Sequence, residues 1–98
     1  MAYTIKWNKK AHQTFDKIVG YLLDELGENS AKKFTKKVDQ FLKTIEQFPE
    51  AGRVEVKERA IRSYVVSQFT VAFYQIKNDE IFILKFFDGR QDPKKRLK

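Results

Sequence analysis

The sequence predicts an α+β domain in the order β-α-α-β-β-β, a helical hairpin packed on one face of a small, largely antiparallel sheet. Three observations lead to it. A short alternating stretch opens the chain, two long stretches repeat apolar residues every three or four positions, and three strand-like stretches follow. Residues 1–98 read as a single domain, with 88–98 as a short basic tail.

From Ala2 to Trp7 the chain alternates, with Tyr3, Ile5 and Trp7 on one side and Thr4 and Lys6 on the other, as in a short edge strand. Asn8 suits a helix N-cap, because its side-chain oxygen can accept an orphan backbone N–H. Ala11, Phe15, Ile18, Val19, Leu22, Leu23 and Leu26 then form an amphipathic stripe, and Gly27 supplies a left-handed stop. Ser30 is expected to cap a second helix with the stripe Ala31, Phe34, Val38, Phe41, Leu42, Ile45 and Phe48, ended by Pro49. A link of about three residues makes the two helices an antiparallel hairpin.

Glu50 to Arg59 reads as a polar connector. Strands are predicted at Ala60–Val66, Phe69–Lys77 and Glu80–Phe87, the last two joined by Asn78-Asp79, residues that tolerate a tight turn. A two-residue turn places Phe73 opposite Leu84 and Val71 opposite Phe86 on one face, and Tyr74 opposite Ile83 and Ala72 opposite Lys85 on the other. The last strand is apolar on both faces, as a central strand would be. Tyr74, Ile81, Ile83 and Phe87 make the second face more apolar than a free surface, which points to a protein partner or a second copy.

The composition narrows the chemistry. Without cysteine there is no disulfide-stapled domain, zinc ribbon or thiol nucleophile, and one histidine cannot build a multi-His metal site. No metal or cofactor is expected, and no apolar run is long enough to span a membrane. Glycines are isolated, so there is no phosphate loop. Asp24/Glu25 and Asp79/Glu80 fall at a helix end and a hairpin tip, ordinary solvated positions, and His12 reads as a surface residue. These features describe a small cytoplasmic domain.

Twenty Lys and Arg against thirteen Asp and Glu give a net charge of +7, which attracts polyanions or an acidic protein. Lys32, Lys33, Lys36, Lys37 and Lys43 lie outside the second helix's apolar stripe and read as a solvated face. Arg53, Lys57, Arg59 and Arg62 precede or sit on the first C-terminal strand, and Arg90 follows the last. A sheet can bring such stretches together as a phosphate pocket. Metal-free RNA cleavage needs cations of this kind with a general acid and base. No obvious acid or base accompanies them, since Tyr64 or Tyr74 would need a shifted pKa.

Several segments, in order, resemble the RelE/ParE toxin superfamily: Ile5-Lys6-Trp7, Ala31-Lys32-Lys33-Phe34, Phe48-Pro49-Glu50-Ala51-Gly52, Ile61-Arg62, Phe73-Tyr74-Gln75-Ile76 and Phe87-Asp88-Gly89-Arg90-Gln91-Asp92-Pro93. The resemblance covers nearly the whole chain. It implies the toxin of a type II toxin–antitoxin pair, a growth inhibitor neutralised by a small cognate antitoxin, with oligomers formed through that complex. RelE-like members cut mRNA on the ribosome; ParE-like members poison DNA gyrase. Of five positions the resemblance marks for RelE-type cleavage, Arg62 and Arg90 keep a positive charge suited to stabilising a phosphate. Tyr64, Val71 and Arg96 depart from the pattern. The expectation is therefore a ParE-like or undetermined target, with an mRNA endonuclease or an inactive antitoxin-binding member as alternatives. Expected target contacts are Arg53, Lys57, Arg59, Arg90, Lys94, Lys95 and Arg96; expected antitoxin contacts are Tyr74, Ile81, Ile83 and Phe87.

Overall fold

A computed structural model describes residues 3–91. Within them the order is β1 (Thr4–Trp7), α1 (Lys9–Glu25), α2 (Glu28–Gln47), β2 (Arg53–Val56), β3 (Ile61–Val65), β4 (Thr70–Lys77) and β5 (Glu80–Asp88). The strands form one sheet in the order β1-β5-β4-β3-β2. β1 runs parallel to β5 at one edge and the other pairs are antiparallel. The α+β class and the helical hairpin are as the sequence predicts.

The start of α1 follows its sequence signal: Asn8 Oδ1 accepts the Ala11 N–H at 2.9 Å. Its end is tighter than expected. Leu26 and Gly27 both donate to the Leu22 carbonyl, at 2.9 and 2.8 Å, and Gly27 at φ +96° turns the chain directly into α2. α2 therefore begins at Glu28, without a side-chain cap, and Ser30 lies inside the helix with its hydroxyl toward the Leu26 carbonyl. The link is two residues because the left-handed glycine serves both helices.

The buried face of the hairpin is Ala11, Ile18 and Leu22 of α1 with Ala31, Phe34, Val38, Phe41 and Ile45 of α2. Opposite it lie Ala72 and Tyr74 of β4 and Ile81, Ile83 and Phe86 of β5. Tyr74 does pair with Ile83, but the next pair is Phe73 with Lys85, so Leu84 is an extra residue in β5. This bulge shifts the expected pairs by one: Ala72 meets Phe86 and Val71 meets Phe87. It also lets Ile83 and Phe86, three residues apart, both face the helices. Beyond the end of β1 the Phe86 N–H donates to Thr14 Oγ1 on α1 at 2.9 Å.

The predicted connector contains a strand. Arg53–Val56 pairs with β3 through a second register shift between Val54 and Val56, and all four of its residues are exposed. Val54 and Val56 alternate with charged residues, but neither is buried, so a short exposed edge strand stands out little from a polar connector. No helix of the described residues is long and apolar enough to cross a membrane.

Candidate functional site

The first basic residue, Arg62, sits on β3 opposite Tyr74. Its Nη1 donates to the backbone carbonyls of Gly52 at 2.7 Å and Glu50 at 3.1 Å. Tyr74 holds the same turn from beneath: its hydroxyl donates to the Pro49 carbonyl at 2.7 Å and accepts the Gly52 N–H at 2.9 Å. Burial pushes the Tyr74 hydroxyl above its ordinary pKa, against the Gly52 N–H and the Arg62 charge, so it keeps the proton it donates. Arg62 and Tyr74 thus lock the turn after α2 to the sheet. Both of these Arg62 partners are main-chain oxygens.

The second, Arg90, lies in the short helical turn Gly89–Gln91 after β5. Asp88, buried at the end of β5, takes Arg90 Nη2 on Oδ2 at 2.8 Å and Nε on Oδ1 at 3.1 Å. The Arg90 backbone N–H reaches Oδ1 at 2.9 Å, and Thr70 Oγ1–H, from the buried start of β4, reaches Oδ2 at 2.8 Å. The guanidinium lies over Phe69, 4.2 Å from the ring centre, with Tyr21 at 5.8 Å. Burial raises the Asp88 carboxyl's pKa, but the hydrogen bonds from Arg90 and Thr70, with the Arg90 charge, outweigh it and hold the carboxyl below its ordinary value.

This lowering sets an acid response. The unfolded chain binds the Asp88 proton more readily than the folded one, so the stabilisation is complete above the unfolded carboxyl's pKa, near 3.8, and is lost as pH falls through the lower folded value. Thermal midpoints measured from neutral pH down to about pH 2 are expected to show Asp88→Asn less stable than wild type at neutral pH. The gap should narrow in acid; a constant gap would remove the Asp88 ionisation from this account.

The sheet does not gather the two arginines. Arg62 is level with Tyr74, whereas Arg90 follows Asp88, level with Thr70. Four residues along β4 correspond to roughly 13 Å. Arg53 lies on exposed β2, and Lys57 and Arg59 in the short helical turn after it, toward the β4–β5 hairpin end. Lys94, Lys95 and Arg96 lie outside the described residues.

The expected antitoxin-facing set is corrected by the parity of the strands. Tyr74, Ile81 and Ile83 are completely buried beneath the helices. With both faces of β5 apolar, the pattern alone could not say which one the hairpin covers. The helix-free face carries Phe87 together with Val71, Phe73, Phe82 and Leu84, all half-buried, and Val65, 70% exposed. Lys85 Nζ lies over the Phe73 ring at 5.2 Å on that face.

Sequence reasoning also missed two members of the Arg90 support, Thr70 and Phe69. The Asp-x-Arg spacing was its only local signal, because Thr70 is eighteen residues from Asp88.

The same fold recurs in known structures. The chromosomal ParDE toxin–antitoxin system from P. aeruginosa contains a chain of 25% identity, with TM-score 0.73 over 89% of this chain and 96% of that one. The YoeB dimer from Staphylococcus aureus matches at 16% identity and TM-score 0.60, covering 87% and 94%. The protein HP0894 from Helicobacter pylori matches at 17% and 0.56, covering 90% and 96%. Among curated proteins none matches by sequence. The family model for the ParE toxin of type II toxin–antitoxin systems matches residues 5–93, and the chain belongs to that family.

Proposed function

We propose that this toxin arrests growth in the cytoplasm by binding a protein target, DNA gyrase in the ParE-like manner, and that its antitoxin covers the helix-free sheet face around Phe87. The observation that carries the target reading is the state of the two arginines. The two candidates for phosphate stabilisation sit at different levels of the sheet, Arg62 beside Tyr74 and Arg90 after Asp88. Catalysis by charge stabilisation needs donors converging on one developing oxyanion. The antitoxin reading draws on the apolar side chains that the described residues leave partly accessible on the helix-free face, Val65, Val71, Phe73, Phe82 and Leu84, since a protein partner usually covers contiguous apolar residues.

Purified toxin is expected to abolish supercoiling by DNA gyrase in vitro, and added antitoxin to restore it. Cleavage of translated mRNA in the ribosomal A site, with supercoiling intact, would replace this reading with the RelE-like endonuclease. Unchanged growth on induction would leave an inactive antitoxin-binding member.

A further inference from the structure

Where the tip of the helical hairpin meets the β3–β4 turn, a groove of about 240 Å³ opens beside Arg90. Its floor is apolar: Leu22 and Phe34 are buried in it, while Leu26 and Phe69 stand 52% and 44% exposed at its rim. Among the described residues its charged lining is basic. Lys33 and Lys37, one helical turn apart on α2, are exposed along one wall, and Arg90 is fixed on the other by Asp88 and the Phe69 ring. Among the described residues no carboxylate lines the groove.

We infer that this groove docks an acidic amphipathic segment of the protein whose activity the toxin blocks, an aliphatic side chain entering between Leu26 and Phe69 and flanking carboxylates meeting Lys33, Lys37 and Arg90. The inference rests on the protein-target reading above. Charge complementarity selects an anion, and the apolar floor selects among anions. A nucleic-acid backbone would use the cations and leave Leu26 and Phe69 in water, whereas an acidic peptide uses both. Arg90 suits the role because a guanidinium held by a buried carboxylate loses little freedom on binding. The groove lies on the hairpin side of the sheet, away from the Phe87 face, so target and antitoxin have separate surfaces.

Two pairs of substitutions test this, each at exposed positions where the fold should survive, as circular dichroism and thermal melts would verify. One is Lys33→Glu with Lys37→Glu, the other Leu26→Ser with Phe69→Ser. A labelled amphipathic helical peptide of leucine and glutamate serves as the probe, with a labelled single-stranded RNA as competitor. Both pairs are expected to weaken peptide binding by about tenfold or more, and RNA should not displace the peptide. Both should abolish growth arrest on induction while antitoxin binding stays within about threefold of wild type, the range of a non-contacting surface change. No binding of the peptide to wild type, displacement by RNA, or loss in the lysine pair alone would overturn the acidic-peptide assignment. Antitoxin binding that falls with either pair would make the groove the antitoxin's and overturn it as well, as would undiminished growth arrest. Failure of the protein-target reading has its own sign: wild-type toxin would leave gyrase intact and cleave mRNA.

Discussion

Phe41→Ala is expected to lower stability by about 4 kcal/mol, the range for emptying a large aromatic site in a core. Phe41 is 1% exposed and joins α2 to the sheet, its ring 5.1 Å from Tyr64, 5.9 Å from Tyr74 and 6.3 Å from Phe86. Three partners on three strands cannot all move inward to fill one void. For a domain of this size the loss corresponds to a fall of about 20 °C in thermal midpoint, measurable by calorimetry. Phe48 is the control. It ends the same helix but is exposed, so Phe48→Ala should stay within about 0.5 kcal/mol of wild type. Equal losses at the two positions would refute the packing account.

Gly52→Ala is expected to cost about 3 kcal/mol, at the upper end for forcing extra volume into a packed site. The backbone there is ordinary, φ −80° and ψ 165°, so the cost is one of space. An added Cβ would lie 2.6 Å from the Ser63 carbonyl oxygen and 2.6 Å from the Tyr74 hydroxyl. Relief would have to lift the turn off β3, breaking the bonds from Tyr74 and Arg62 together. Urea unfolding should show a lower midpoint with an unchanged slope. The double variant Gly52→Ala/Tyr74→Phe should recover little, because the Ser63 oxygen is main chain and stays in place. Full recovery would place the strain in the hydroxyl alone.

The sequence was most legible where one residue satisfies one local rule. Asn8 caps α1 through its own side chain, and Asn78 takes the positive φ, 55°, of the two-residue turn between β4 and β5. The apolar stripes of both helices identified their buried faces except toward their C-terminal ends, where Leu23, Leu26 and Phe48 are exposed. Legibility failed where two readings satisfied the same pattern. Val54 and Val56 alternate with Arg53 and Glu55, yet none of the four is buried, so β2 looked like a connector. β5 is apolar on both faces and contains an extra residue at Leu84, so alternation alone assigned Tyr74, Ile81 and Ile83 to the wrong side. At the site, Arg62 was visible as a charge, but its partners are carbonyl oxygens of Glu50 and Gly52, which every residue possesses. Arg90 and Asp88 are neighbours in sequence and could be paired on paper; Thr70 and Phe69 join them only through the β4–β5 pairing.

The parallel pairing of β1 with β5 carries a consequence for how the molecule comes into being. Of the described strands translation makes β1 first and β5 last, yet β5 stands between β1 and β4. Until residues 80–88 have been synthesised, β1 has no neighbour and β4 lacks one of its two. The hairpin of α1 and α2, made early, has nothing to cover on the β5 side. Long-range closure of this kind is slow compared with local helix formation. The fold therefore closes only once β5 has been made, and a nascent chain stopped before Glu80 carries neither finished face of the sheet.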